Sequence, residues 1–348
     1  MHLIEITDID DTAAIGHFLG LANDVYREDA IWVAASDNLF LQRFKVAQTD
    51  QSVRMKPFVA LADDGCPVAR AAAIMVTGAS DAEGKPQGWI GFFESKKDCP
   101  EAAVAVLEKC EQALVTAGAR SVLAPKIDNL VLGLQTDGFS FPQTVYTNHN
   151  PPYYLDIFLK SSYKIKARLQ TFLFTKSDFV FSEIKLPGFG TRTFDRNNIE
   201  REIQIFHDLQ NSLFTGGMGY VPRTLDEDRD LVSSFLPFID DELIIIAEDT
   251  SGNQVGLLVC LPDIYQLAHE GKIDRARLIS IGVLNGWSRN GVGAMMGSHL
   301  AKNLLAKGYT VAEASWIFED NKPPQNLAKR FQALPAREFV LLEKSLEW

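Results

Sequence analysis

Ile281-Gly282-Val283-Leu284-Asn285-Gly286-Trp287-Ser288-Arg289-Asn290-Gly291-Val292-Gly293-Ala294-Met295-Met296 reads as the end of a strand, a short loop and the first turns of a helix. The apolar run through Val283 gives way to a polar stretch carrying Arg289 and two spaced glycines, and helical spacing begins at once after them. Glycine lets a backbone approach a ligand with no Cβ in the way. The first N–H groups of a helix have no partner within it, and the helix dipole adds positive potential there, so phosphate is a natural guest. Arg289, Asn290, Gly291, Val292, Gly293 and Ala294 are therefore expected to surround a pyrophosphate. The competing reading is a tight strand-to-helix turn without a ligand, since a glycine-rich turn alone is a weak motif.

Other nucleotide and metal motifs fit poorly. Gly291, Gly293 and Gly297 come near a dinucleotide fingerprint, but that fingerprint opens a βαβαβ half and only 57 residues follow Gly291. No GK[ST] or HExxH occurs, and His2, His17, His149, His207, His269 and His299 show no metal-ligand spacing, so no metal is expected.

The same order of elements is written twice. In the second half, 243–247 and 255–260 read as a hairpin around the turn Asp249-Thr250-Ser251-Gly252-Asn253. A partly helical insertion over 263–274, a strand over 278–283, a helix over 295–306 and a strand over 310–316 come next. In the first half, 57–62 and 68–76 form a hairpin around Asp63-Asp64-Gly65, then come a strand over 89–93, a helix over 100–116 and a strand over 121–124. Two α/β (α+β) units of one plan suggest a duplication, joined across residues 177–190, where Pro187-Gly188-Phe189-Gly190 has linker character.

The bulk properties agree. At about 150 residues per domain, 348 residues make two domains. With 46% hydrophobic and 23% charged residues the chain is an ordinary globular one. Lys+Arg 34 against Asp+Glu 45 gives a net charge of −11, which argues against a nucleic-acid footprint. Cys66, Cys99, Cys110 and Cys260 form no CxxC pair and read as reduced, mostly buried thiols. The opening residues lack the basic and apolar regions of a secretory signal, and runs such as Leu243-Ile244-Ile245-Ile246-Ala247 fall far short of the ~20 residues of a membrane span. A cytoplasmic protein with no membrane and no nucleic-acid partner is expected.

The loop resembles that of the GNAT superfamily of acyl-CoA N-acyltransferases. The family pattern [QR]-x-x-G-x-[GA] falls on Ser288-Arg289-Asn290-Gly291-Val292-Gly293, with Ser288 where Gln or Arg is usual and Arg289 beside it. The resemblance implies that the backbone of Ile281, Gly282 and Val283 faces the pantetheine arm of acetyl-CoA or another acyl-CoA. It implies that Asn321, in Ser315-Trp316-Ile317-Phe318-Glu319-Asp320-Asn321, touches that arm. Many members carry a tyrosine acid about seven residues later, where this chain has Ala328. Gly91-Phe92-Phe93-Glu94, Asn150-Pro151-Pro152-Tyr153-Tyr154, Met218-Gly219-Tyr220-Val221-Pro222 and Leu261-Pro262-Asp263 extend the likeness to a two-domain subgroup with no agreed substrate. The resemblance thus implies a tandem fold. A GNAT-like domain covers 1–180, degenerate because Ser95-Lys96-Lys97-Asp98-Cys99-Pro100 replaces the glycine loop, and a GNAT domain with the acyl-CoA loop covers 181–348. Each is expected to be a mixed, mostly antiparallel twisted sheet flanked by helices.

The activity implied is direct attack of an amine, of a small molecule or a peptide, on the thioester, with acetyl the acyl group expected from the family's habit. It needs a base, an oxyanion donor at Val283 or Leu284, and a fate for the thiolate. Glu248, Asp263, Glu313 and Glu319 lie at strand ends, and among them Glu313 and Asp263 are expected as catalytic groups, with Tyr220 in its glycine-rich loop as a stand-in proton donor. Each could equally be a solvated charge, a cap or a packed ring. Two other readings stand beside this one: an inactive tandem fold that binds a ligand or serves as scaffold, and an aminoacyl-tRNA-dependent transferase, which the negative charge disfavours. Fused units could act as a monomeric pseudo-dimer or form a homodimer.

Overall fold

The computed structural model describes residues 1–34, 36–179 and 183–346. In chain order the elements are β1 (His2–Glu5), α1 (Thr12–Val25), α2 (Ser36–Thr49), β2 (Val53–Leu61), β3 (Pro67–Val76), β4 (Gln87–Ser95), α3 (Pro100–Thr116), β5 (Ser121–Ala124), β6 (Leu134–Asp137), α4 (Tyr154–Lys160) and β7 (Lys164–Thr175). They continue as β8 (Phe189–Thr193), α5 (Ile199–Phe214), α6 (Leu225–Phe235), β9 (Ile244–Asp249), β10 (Gln254–Pro262), α7 (Gln266–Glu270), β11 (Arg275–Val283), α8 (Val292–Lys307), β12 (Val311–Phe318), α9 (Lys322–Arg330) and β13 (Leu334–Ser345).

Contacts divide the chain into two compact units, Met1–Arg168 with Glu338–Trp348, and Leu169–Arg337. The boundary expected at 180/181 lies outside the described residues; the units themselves part at Arg168 and Leu169, and the chain returns to the first at Glu338.

In unit 1 the strands follow the order β1-β2-β3-β4-β5-β13, with β6 also paired to β13. Among the described residues β4 and β5 are its one parallel pair, joined by α3 as a crossover. Proline at the start of α3, with Glu101 in its first turn, suits a helix beginning, and Gly118 at φ +97 ends the turn that comes after it. β3 is almost wholly buried, apolar but for Arg70, with α1 and α3 packed against it. Val340 and Leu342 of β13 are buried in this unit's apolar core, so the last strand belongs to it.

Unit 2 repeats the plan. Leu169–Thr175 of β7 pairs with β12, and the order continues β12-β11-β10-β9-β8. β11 and β12 are its parallel pair, with α8 as crossover, and the other pairings are antiparallel. Ala276, Leu278, Ile281 and Val283 join Met295, Met296 and Leu300 of α8 in one apolar core. The expectation of a mixed, mostly antiparallel sheet flanked by helices holds for both units. Of the four thiols, Cys110 and Cys260 are buried, Cys99 is half-buried and Cys66 is exposed, so burial is less general than the sequence suggested. Among the described residues no helix is long and apolar enough to cross a membrane, and no group of His, Cys, Asp and Glu could hold a metal ion.

Candidate functional site

The parallel strands of unit 2 come apart. Their register runs Arg275↔Val311, Ala276↔Ala312, Arg277↔Glu313 and Leu278↔Ala314, and ends there, although β11 continues to Val283 and β12 to Phe318. Past that point β11 stays paired with β10, and β12 shifts register against β7 between Ala314 and Ile317. The N–H of Leu284 is spent on the Val255 carbonyl (2.9 Å). Strand amides alternate in direction, so the Val283 N–H is left on the open side. This removes Leu284 from the two oxyanion donors that the sequence suggested. Just beyond the last pair, the hydroxyl of Ser315 is buried with no hydrogen-bond partner among the described residues. A buried orphan of this kind needs an explanation, such as a group that arrives with a ligand.

The expected loop stands at the mouth of this gap. A single tight turn covers Asn285–Trp287, where Ser288 Oγ donates to the Asn285 carbonyl (2.9 Å) and Trp287 packs edge-on against Phe189. Arg289 and Gly291 both take positive φ, +67 and +84, which turns the chain sharply into α8. No side chain among the described residues caps α8, its first turn holds no acid, and Lys307 lies in its last, so its amino end is open to an anion. Ser288, Arg289 and Asn290 are exposed. A Cβ on Gly293 would meet only Val283, at 3.9 Å, and one on Gly291 would touch Leu186 at 3.4 Å. Gly282 is different: a Cβ there would come within 2.7 Å of Leu213 on α5, so its bareness lets that helix lie close. Asn321 sits exposed at the start of α9.

Two of the expected acids lie in a buried cluster of charge, Glu313 on β12 and Asp263 just after β10. Glu313 is fully buried and takes two hydrogen bonds from Arg337, Nε to Oε1 at 2.9 Å and Nη2 to Oε2 at 3.1 Å. Burial alone would raise its pKa, but Arg337 and Arg277 outweigh burial and hold it below the usual carboxylate range. Arg277 lies over the Trp316 ring at 4.9 Å; burial lowers its pKa to about 10 against the pull of Glu313. Asp263, also buried, receives Arg275 Nε at 2.6 Å. A carboxylate held down as Glu313 is makes a weak base. Glu248 is bonded by Arg192 Nε at 2.7 Å, and Glu319 is exposed. Ala328, where the resemblance looks for a tyrosine, is buried against Phe172 and Ile317.

Tyr220 belongs to a network that the sequence did not disclose. Its hydroxyl donates to Asn211 Oδ1 (3.0 Å), and Asn211 also takes the Arg223 N–H (3.1 Å) and donates to the Arg223 carbonyl (2.8 Å). Burial raises the pKa of Tyr220, with Arg223 pulling it down and Asp228 pushing it up. Arg223 Nε bonds Asp228 Oδ1, and the other oxygen of Asp228 lies 2.8 Å from His207 Nδ1. His207 is on α5, the helix whose Gln210 donates to Ser280 Oγ (3.0 Å) and whose Leu213 covers Gly282, both beyond the last strand pair. The sequence did carry one signal: Thr224 and Glu227 form a capping box, which fixes the start of α6 and puts Asp228 in its first turn.

Unit 1 has the same parallel pair without the gap. After Trp89↔Leu123 the Lys126 N–H donates to the Ile90 carbonyl at 2.9 Å, and a Cβ on Gly91 would stand 2.8 Å from the Lys126 carbonyl oxygen. Glu94, in its fourth strand, accepts from Tyr26 (2.9 Å) and Tyr154 (2.7 Å).

No family model matches the chain. Protein YghO of Escherichia coli (strain K12) is 24% identical, over 94% of this chain and 92% of its own length. A protein named bacterial ceramide synthase, from Caulobacter vibrioides (strain NA1000 / CB15N), is 23% identical over 76% of this chain and 77% of its own. Among solved structures, a tandem GNAT protein from the clavulanic acid biosynthesis pathway matches 100% of this chain and 99% of its own with a TM-score of 0.65, at 10% identity. The chain therefore has the tandem GNAT fold that its sequence resemblance implied.

Proposed function

We propose that the protein is an acyl-CoA-dependent N-acyltransferase whose unit 2 holds the acyl-CoA. The observation that carries this reading is the parting of β11 and β12 after Leu278 and Ala314, with a glycine turn presenting the open end of α8 beside it. The stretch Ile281, Gly282 and Val283, paired with β10 but no longer with β12, would lie along a pantetheine arm, with the N–H groups of Ile281 and Val283 toward it. The turn Ser288, Arg289, Asn290, Gly291, Val292, Gly293 and Ala294 would hold the diphosphate, with Asn321 beside the arm. The unpartnered Ser315 hydroxyl fits an arm that brings its own hydrogen-bonding groups. A bound thioester would supply an acyl carbonyl open to attack; the chain would supply the Val283 N–H for the oxyanion and the free edge of β11 that orients the arm. Glu313 and Asp263, each fixed by an arginine, hold the strands at the fork rather than exchange a proton, and Tyr220 acts by positioning its loop. Unit 1, whose parallel pair stays closed, serves as scaffold.

For the acceptor we take a long-chain amino alcohol, and for the donor a fatty acyl-CoA. The support is the relative named a ceramide synthase, ceramide being the amide of a fatty acid with such an amine. Acetyl transfer and peptide amines are the comparisons to run beside it. The test has two parts. At 100 times its Kd a ligand stabilises by about 2.7 kcal/mol, so millimolar CoA should raise the melting temperature by several degrees. Thiol release from fatty acyl-CoA should then depend on the long-chain amine. No shift with any CoA thioester would overturn the reading; a shift with no thiol release from any amine would favour the inactive binding protein.

A further inference from the structure

We infer that His207, held by Asp228, is the group that takes the proton from the attacking amine; the inference rests on the transferase reading above and names the base for that site. An ionised carboxylate only accepts hydrogen bonds. Asp228 Oδ2 is 2.8 Å from Nδ1, whereas the Asn211 amide nitrogen is 3.3 Å from it and donates to the Arg223 carbonyl at 2.8 Å, so the carboxylate contact decides: the proton of neutral His207 is on Nδ1, and Nε2 carries the free lone pair. Asp228 is wholly buried and its other oxygen is bonded by Arg223, so it cannot swing away; the imidazole is fixed in both tautomer and direction. The His207 side chain keeps 20% of its surface exposed, which leaves the ring reachable.

Position on the helix ties the pair to the gap. His207 lies one turn before Gln210, which bonds Ser280, and Leu213 one turn further covers Gly282. Thus α5 runs along the part of β11 that has left β12, on the face opposite α8. The charged and titratable groups around His207 are Asp228 from α6, and Arg223 and Tyr220 from the loop before it; on the sheet side stands the uncharged Gln210–Ser280 pair. Arg223 bonds the other oxygen of Asp228, so the carboxylate beside His207 already has a counter-charge. In the step, the amine nitrogen bonds to the acyl carbon, the C–S bond breaks and the sulfur leaves as thiolate. The proton lost by the amine passes to His207 Nε2, and from there to the thiolate or to water.

The experiment compares wild type with His207→Gln and Asp228→Asn, using fatty acyl-CoA and a long-chain amine, with CoA binding measured on each. We expect CoA affinity unchanged within about twofold and kcat/KM at neutral pH down by about 10²–10⁴. The loss should shrink as rising pH deprotonates the amine in solution, and the acid limb of the wild-type pH profile should disappear in His207→Gln. A merely structural role would move neither the limb nor the high-pH recovery. Wild-type turnover with an unchanged profile in both variants would overturn the dyad alone, whereas failure of the wild type to bind any CoA thioester would take the transferase reading down with it. Should a variant unfold, ¹⁵N NMR of labelled histidine in the wild type still decides: a bare Nε2 supports the proposal and an Nε2–H tautomer overturns it.

Discussion

Glu313 shows how a residue can be read correctly for place and differently for work. Alternation on β12 put a lone carboxylate between Ala312 and Ala314 facing one side, and it does face one side. What the sequence could not show is that Arg337, 24 positions later, would meet it with two hydrogen bonds. Breaking such a pair leaves a charge buried alone, and Glu313→Gln should cost about 3–5 kcal/mol, measured by urea unfolding. The pH dependence has a definite sign. The folded-state pKa lies below the unfolded one, so this contribution is complete above about pH 4.3 and is lost as pH falls through the folded value. The gap between wild type and variant should therefore close only in acid. The His207–Asp228 pair was invisible for the same reason: two helices bring together positions 21 apart that share no motif.

Local elements were far more legible. Hairpins, both crossover helices and the turn into α8 follow from alternation, glycine and proline, all of which act within a few residues. The sequence could also place the glycines of that turn, but not tell their duties apart. Gly291 needs its positive φ and Gly282 lies beneath Leu213, whereas Gly293 sits in the first turn of α8 with room around it. This makes Gly293→Asp the informative change. Replacing a helical glycine and placing an acid near the helix start should each add about 0.3–1 kcal/mol of stability. The same carboxylate would repel a diphosphate. We expect an unchanged or higher melting temperature together with CoA binding weakened at least tenfold, read by calorimetry. Undiminished affinity would move the diphosphate away from this turn. The parting of β11 and β12 was not legible, because apolar alternation continues through Val283 whether or not a neighbour is there.

At the scale of the molecule, repetition along the chain announces two α/β units but not the allotment of their strands. Alternation marks β13 as a strand and is silent about which sheet receives it. In the structure, Leu342↔Ala124 through Ser345↔Ser121 and Glu338↔Asp137 place it in unit 1, while Leu169–Thr175 lines β12 of unit 2. Removing residues from Glu338 onward should therefore damage the unit farthest from the cut in sequence. Hydrogen exchange at Ser121–Ala124 should lose its protection, while β9 and β10 keep more of theirs; protection retained in β5 would show that β13 is dispensable there.

That allotment also sets a timetable during synthesis. On the ribosome, the first unit's sheet has to wait for a strand encoded after the whole of the second, and at ~5–20 residues per second the delay is roughly 10–35 s. Throughout that interval the flank of β5 that β13 will cover is an open edge, the kind of surface that recruits stray strands from other nascent chains. Translation speed and chaperone supply should govern the yield of this protein more strongly than the stability of the finished fold.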